Sequence, residues 1–165
     1  MKTLNATQKG LVTGLLMIAV MLIIFYKLNQ QPNSILQFSS FLIIYMGGIL
    51  WSMLTFNRTV QPQTKLSEYF SNGFKTFVVV TLIMTLYTFI FYKLNPGIRD
   101  AQIAFNTQLL EQQHTHTQQE IDMNAAQFKS IFMTVTISTT IFIYLLLGSI
   151  ITLLSSVILK QLKKI

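Results

Sequence analysis

Charged residues are missing from four long stretches of this chain, and those gaps decide what the stretches can become. A Lys or Arg at the centre of a bilayer costs about 2.5–3.5 kcal/mol, so only an uncharged run can cross one cheaply. Between Lys9 and Lys27 lie 17 such residues, GLVTGLLMIAVMLIIFY, and between Lys75 and Lys93 another 17, TFVVVTLIMTLYTFIFY. At about 1.5 Å per residue each covers about 25 Å as a helix, and the flanking lysines can extend their stems to the headgroups. No charge occurs from Leu28 to Asn57, where Ile35 to Phe56 is the apolar part, and Ser130 to Leu159 forms a charge-free run of 30 residues. That last run exceeds the hydrocarbon thickness, so its helix is expected to tilt or protrude. The fold class expected is an all-α membrane protein, one four-span membrane domain with spans at about 10–28, 35–56, 74–94 and 131–159.

Composition agrees. Only 10% of the residues are charged and 52% are apolar, which leaves no water-facing surface for a particle of this size and excludes a soluble globular enzyme. The same shortage argues against four apolar helices buried in a larger soluble core. There are no cysteines, hence no disulfide, thiolate metal site, iron–sulfur cluster or cysteine nucleophile. The charged start and first apolar run resemble a signal peptide, but no small-x-small cleavage site follows, and the chain continues KLNQQPNS; a permanent helix is expected.

Orientation follows from the distribution of charge. With four spans, one side receives Lys2, Lys9, Arg58, Lys65, Lys75, Lys160, Lys163 and Lys164 against Glu68 alone. The other receives Lys27, Lys93, Arg99 and Lys129 against Asp100, Glu111, Glu120 and Asp122, which cancel. The whole net charge of +7 therefore lies on one side, and the positive-inside rule makes that side cytoplasmic, with both termini in. Attraction to an anionic leaflet accounts for the excess without any nucleic acid partner.

The hexapeptide IFYKLN occurs twice, at Ile24 to Asn29 and Ile90 to Asn95, and at the same offset Lys9 aligns with Lys75 and Leu16 with Leu82. This favours duplication, giving two tandem helical hairpins related by an axis along the membrane normal, over convergence on a common aromatic and lysine exit signal. Lys9, Lys27, Lys75, Lys93, Tyr26 and Tyr92 are then the interface anchors. The second and fourth spans share a Tyr followed shortly by Gly, at Tyr45 with Gly47 and Gly48, and at Tyr144 with Gly148.

The connections differ in kind. LNQQPNS is a short polar turn. After Pro62, the residues Leu66, Tyr69, Phe70, Gly73, Phe74 and Phe77 have helical spacing and predict a short interfacial helix running into the third span. Residues 95–128 predict an extramembrane helical hairpin between helices 3 and 4. Asn95 caps a helix opening on Pro96, with Ile98, Ala101, Phe105 and Leu109 as one apolar stripe. TQQE, from Thr117 to Glu120, has the capping-box pattern, and Ile121, Ala125, Phe128 and Phe132 form a second stripe continuing into the fourth span. Disorder is the competing expectation for so Gln-rich a stretch.

Little here carries chemistry. His114 and His116, in an HTH tip, are weak metal candidates, because a zinc site takes three or four protein ligands and only Glu111 or Glu120 is near in sequence. Exposed histidines with no ligand are the expectation, and no cofactor is assigned. No Asp, Glu, Lys, Arg or His falls in the predicted hydrocarbon region, which removes the usual proton relays and ion-coupled sites, and no base accompanies the Ser and Thr residues there. Small residues recur at four-residue spacing: Gly10 and Gly14, Gly48 and Ser52, and Gly148, Thr152 and Ser156. Such stripes let helix backbones approach, and packing within one bundle is favoured over a dedicated dimer face. Thr134 and Ser138 extend the polar stripe outward, where they could line a narrow path.

The four-span layout, the SEYFSNGFK stretch, the YKLNPG exit, and a long outer segment before a terminal helix with a lysine tail resemble the bacterial integral-membrane family called domain of unknown function 4199. The resemblance covers nearly the whole chain and rests on a Phe and Gly pattern at Phe70, Gly73 and Phe74, with Pro96. It brings no activity or site residues. It implies a bacterial inner membrane and a periplasmic hairpin. The expected function is that of a non-enzymatic scaffold or accessory subunit, contacting a membrane-protein partner or a second copy besides the lipid bilayer. The alternative is a small-solute channel or transporter of assembled hairpins. An enzyme acting on lipid comes third, and a cleft gathering Tyr69, Lys75 and Glu68 would be its sign.

Overall fold

The computed structural model describes residues 4–27, 35–112 and 117–163, with 35–37 as backbone. Five helices are present and no strand is found among the described residues: α1 (Ala6–Lys27), α2 (Ile35–Thr59), α3 (Leu66–Leu94), α4 (Pro96–Gln112) and α5 (Gln118–Leu162). Four of them, all but α4, are long and apolar enough to cross a membrane.

Helix ends follow local chemistry. Asn5 and Gln8 form a reciprocal capping box at the start of α1: Asn5 Oδ1 accepts the Gln8 N–H at 2.8 Å, and Gln8 Oε1 accepts the Asn5 N–H at 3.0 Å. At α5, Glu120 Oε2 accepts the Thr117 N–H at 2.8 Å and Thr117 Oγ1 accepts the Glu120 N–H at 3.4 Å, as the TQQE pattern predicts. Asn95 behaves differently from expectation. Its side-chain amide turns back and donates to the Phe91 carbonyl at 2.8 Å, closing α3, while its own carbonyl receives the Ile98 N–H of α4. No separate interfacial helix precedes the third span, because α3 runs unbroken from Leu66. Its first turns are buried through Tyr69, which stacks edge-on against Phe56 at 5.4 Å and donates to Asn57 Oδ1 at 2.7 Å.

The chain divides into two units. The first comprises Met1–Thr85 with Ile141–Ile165, and the second Leu86–Thr140. In the first unit Met17, Tyr45, Ile49, Met53, Phe77 and Val80 are buried, whereas Leu15, Ile43, Leu82, Leu146, Leu154 and Ile158 are exposed. Large aliphatic groups on the outside and hydroxyls within is the reverse of a water-soluble arrangement.

In the second unit Ile121 and Phe132 are buried, and Ala125 and Phe128 half-buried, so the α5 stripe is the inward face. The α4 stripe is not. Phe105 and Leu109 are exposed and Ile103 is the buried residue, because Tyr92 donates to Gln102 Oε1 at 2.8 Å and that bond turns the 102–103 edge of α4 inward. Phe132 packs edge-on against Tyr92 at 5.2 Å.

Candidate functional site

Small residues set the spacing of the first unit. A Cβ added to Gly10 would stand 2.6 Å from the Thr76 carbonyl oxygen, and one on Gly14 would stand 2.9 Å from Ile83 Cδ1, so α1 lies directly on α3. A Cβ on Gly48 would collide with the Thr13 side chain, joining α2 to α1. Gly73 of α3 receives Thr152 of α5 and Met53 of α2; a Cβ there would stand 2.5 Å from Thr152 Cγ2. Gly148 of α5 accommodates the Tyr45 hydroxyl and the Phe77 ring. Gly47 and Gly97 face open space.

The polar groups are bound into this packing. Ser52 Oγ accepts the Thr76 hydroxyl at 2.7 Å and the Asn72 amide at 3.1 Å, and Thr76 Oγ1 also lies 3.2 Å from the Ala6 carbonyl. One hydroxyl cluster thereby ties α1, α2 and α3 together. Ser156 donates to the Thr152 carbonyl of its own helix at 2.7 Å, while Thr152 Oγ1 is buried with no hydrogen-bond partner among the described residues. Lys163 Nζ donates to the Asn57 carbonyl at 2.5 Å, holding the end of α5 to the end of α2.

Where α1 begins, α2 ends and α3 begins, an open cleft of about 440 Å³ remains. Its polar lining is Asn5 just before α1, Thr7 and Lys9 from α1, Thr55 and Thr59 from α2, and Asn72 and Lys75 from α3. Lys9 is only 5% exposed, and its ammonium lies 5.7 Å from the centroid of the Trp51 ring. Lys75 is exposed. Tyr69 and Glu68 do not join Lys75 here: Tyr69 is held by Asn57, and Glu68 Oε1 accepts the Lys65 N–H at 3.3 Å.

The remaining anchors are dispersed. Tyr26 and Lys27 are exposed at the end of α1, Lys93 Nζ lies 5.7 Å over the Phe89 ring, and Tyr92 is half-buried with its hydroxyl on Gln102. His114 and His116 lie outside the described residues, and among the described residues no three His, Cys, Asp or Glu side chains come together. The residues that sequence reasoning missed are Asn72 and Thr76, which bond to Ser52, and the Asn5–Gln8 cap. The N-x-x-Q spacing signals the cap, but nothing local signals a partner on another helix.

These features define a helical protein whose first unit is built by glycine and hydroxyl packing beneath an aliphatic exterior. The chain belongs to the family described as Protein of unknown function (DUF4199), whose model matches residues 8–161. No curated protein and no solved structure matches it.

Proposed function

We propose that this chain is a multi-pass protein of a bacterial inner membrane, with both ends cytoplasmic, acting without catalysis as a scaffold or accessory subunit. The observation that carries this reading is the inside-out polarity of the first unit. Hydroxyls such as those of Thr76 and Ser156 are bonded within the packing while Leu and Ile side chains cover the outside, as suits lipid. A hydroxyl-lined path, the alternative reading, draws no support from Thr152 and Ser156, which are both fully buried against Gly73 and their own helix. This favours a dry, packed unit over a channel.

Two tandem hairpins remain the arrangement that best accounts for the contacts. Ala6 meets Thr76, Gly10 meets Val79 and Gly14 meets Ile83, so α1 and α3 advance in step, as copies entering from one side must. Tyr45 meets Tyr144, Met53 and Thr152 flank Gly73, and Asn57 meets Lys163, so α2 and α5 advance in step as well. The described residues of the first IFYKLN copy, 24–27, belong to α1, and residues 90–94 of the second close α3.

A periplasmic segment at residues 95–128, with Phe105 and Met123 exposed, offers apolar groups to a second protein. Photocrosslinking from position 105 in native membranes, followed by identification of the attached chain, tests the reading. A reproducible adduct with one membrane protein, or with a second copy, supports it; a strictly unattached monomer counts against it. Release by alkali extraction would overturn the membrane assignment itself.

A further inference from the structure

We propose that the cleft between the start of α1, the end of α2 and the start of α3 binds a phosphate-bearing anion, held between Lys9 and Lys75. Lys9 carries the argument. It lines the cleft, is 5% exposed, and its ammonium has no hydrogen-bond or ion-pair partner among the described residues. The Trp51 ring at 5.7 Å faces the cation without accepting any of its three N–H donors in a hydrogen bond. An ammonium removed from water without a counter-charge is costly, and an anion entering the cleft relieves that cost.

Among the described residues of this unit no carboxylate pairs with Lys9. Glu68 is the sole acidic residue in the sequence of this unit, and its carboxylate is turned to the Lys65 N–H. The rest of the lining is suited to donate. Lys75 brings a second cation from α3, and Asn72 keeps one amide N–H beyond the one bonded to Ser52. Ala6 and Thr7, also in the lining, contribute first-turn N–H groups, which an α-helix leaves without internal acceptors. Thr55 and Thr59 turn their hydroxyl hydrogens onto their own helix, toward Trp51 and Phe56, and are not counted.

Point-charge donors converging from two helices, with no Arg fork in the lining, suit a tetrahedral phosphate better than a planar carboxylate. Such a group can come from a phospholipid headgroup or from a free phosphate. The repeat adds a reason for the pairing, since Lys9 and Lys75 occupy equivalent positions in its two copies. The proposal is independent of whether the protein is a scaffold or a channel. Only its lipid source rests on the membrane reading, which alkali extraction tests separately.

The test uses the full chain purified in a non-ionic detergent. Native mass spectrometry is recorded with phosphatidylglycerol or phosphatidylcholine added, and thermal unfolding is recorded in inorganic phosphate against chloride at equal ionic strength. Lys9→Gln and Lys75→Gln are compared with Lys27→Gln, at the opposite end of α1. Retention of phosphatidylglycerol over phosphatidylcholine, weakened about fivefold by each cleft variant and unchanged by Lys27→Gln, supports the site with lipid as source. Stabilisation by inorganic phosphate with the same variant pattern supports it with free phosphate as source. Equal retention of both lipids with no phosphate effect overturns it, as does unaltered binding in the cleft variants. Should Lys9→Gln not fold, Lys75→Gln decides, because its side chain is exposed and its removal disturbs no packing.

Discussion

The Tyr45 hydroxyl donates to the main-chain carbonyl of Tyr144 at 2.7 Å, with the two rings edge-on at 5.2 Å. A helical carbonyl is ordinarily covered by the side chain four residues on, and here that residue is Gly148, whose missing Cβ leaves the opening through which the phenol reaches. Tyr45 of the second span and Tyr144 and Gly148 of the fourth are therefore parts of one contact, whereas Gly48 meets Thr13 instead.

Tyr45→Phe is expected to cost about 1 kcal/mol, since the carbonyl keeps its helical bond and only the added one is lost. Gly148→Ala is expected to cost more, because the new methyl meets both the phenol and the Phe77 ring. Combining the two should cost less than their sum by about 1 kcal/mol, the alanine no longer displacing a hydroxyl. Denaturant unfolding of the four proteins in detergent measures the coupling, and strict additivity would show that the glycine is not what admits the phenol.

Gly47 and Gly48 are neighbours in sequence and opposites in space. Gly48→Ala drives a methyl into Thr13 and is expected to destabilise by about 1–3 kcal/mol, whereas Gly47→Ala meets nothing and should be neutral or stabilise by up to about 1 kcal/mol through helix propensity. Thermal unfolding of the two single variants is sufficient, and the prediction fails if they shift alike.

The seam of hydroxyls gives a matching contrast. Ser52 Oγ accepts from residues of another helix, so Ser52→Ala takes that acceptor from the Asn72 amide and leaves the Thr76 hydroxyl to the Ala6 and Asn72 carbonyls at 3.2 Å, at about 1–2 kcal/mol. Ser156 bonds only its own helix, and Ser156→Ala should stay within about 0.5 kcal/mol. Equal losses in the two would place the cost in packing volume and not in the bond.

Charge spacing was enough to locate the four long helices, because a bilayer penalises each buried charge separately and the penalty is written position by position. Thr117 and Glu120 were legible for a similar reason, the capping box being a local bond within one turn. What escaped depends on a second element. Ser52 reads as a small residue at helical spacing, and that it accepts from Thr76 and Asn72 is decided by how α2 meets α3. Phe105 reads as part of a buried stripe, and the Tyr92–Gln102 bond turns it outward. Lys9 reads as an interface anchor by its place at the edge of an apolar run, and its burial near Trp51 is decided by how α1 meets α2.

The absence of cysteine turns topology into a single-thiol experiment, since any introduced Cys is the only one in the chain. Lys65→Cys and Asp100→Cys change exposed residues, one just before the start of α3 and the other in α4, beyond its end. If the excess of Lys and Arg faces the cytoplasm, a membrane-impermeant maleimide should label position 100 in intact spheroplasts and position 65 only after permeabilisation. Labelling is read as a mass shift, with a permeant maleimide as the control for access. The reverse pattern would place the basic side outside, and labelling of both positions in intact cells would mean that α3 does not cross the membrane.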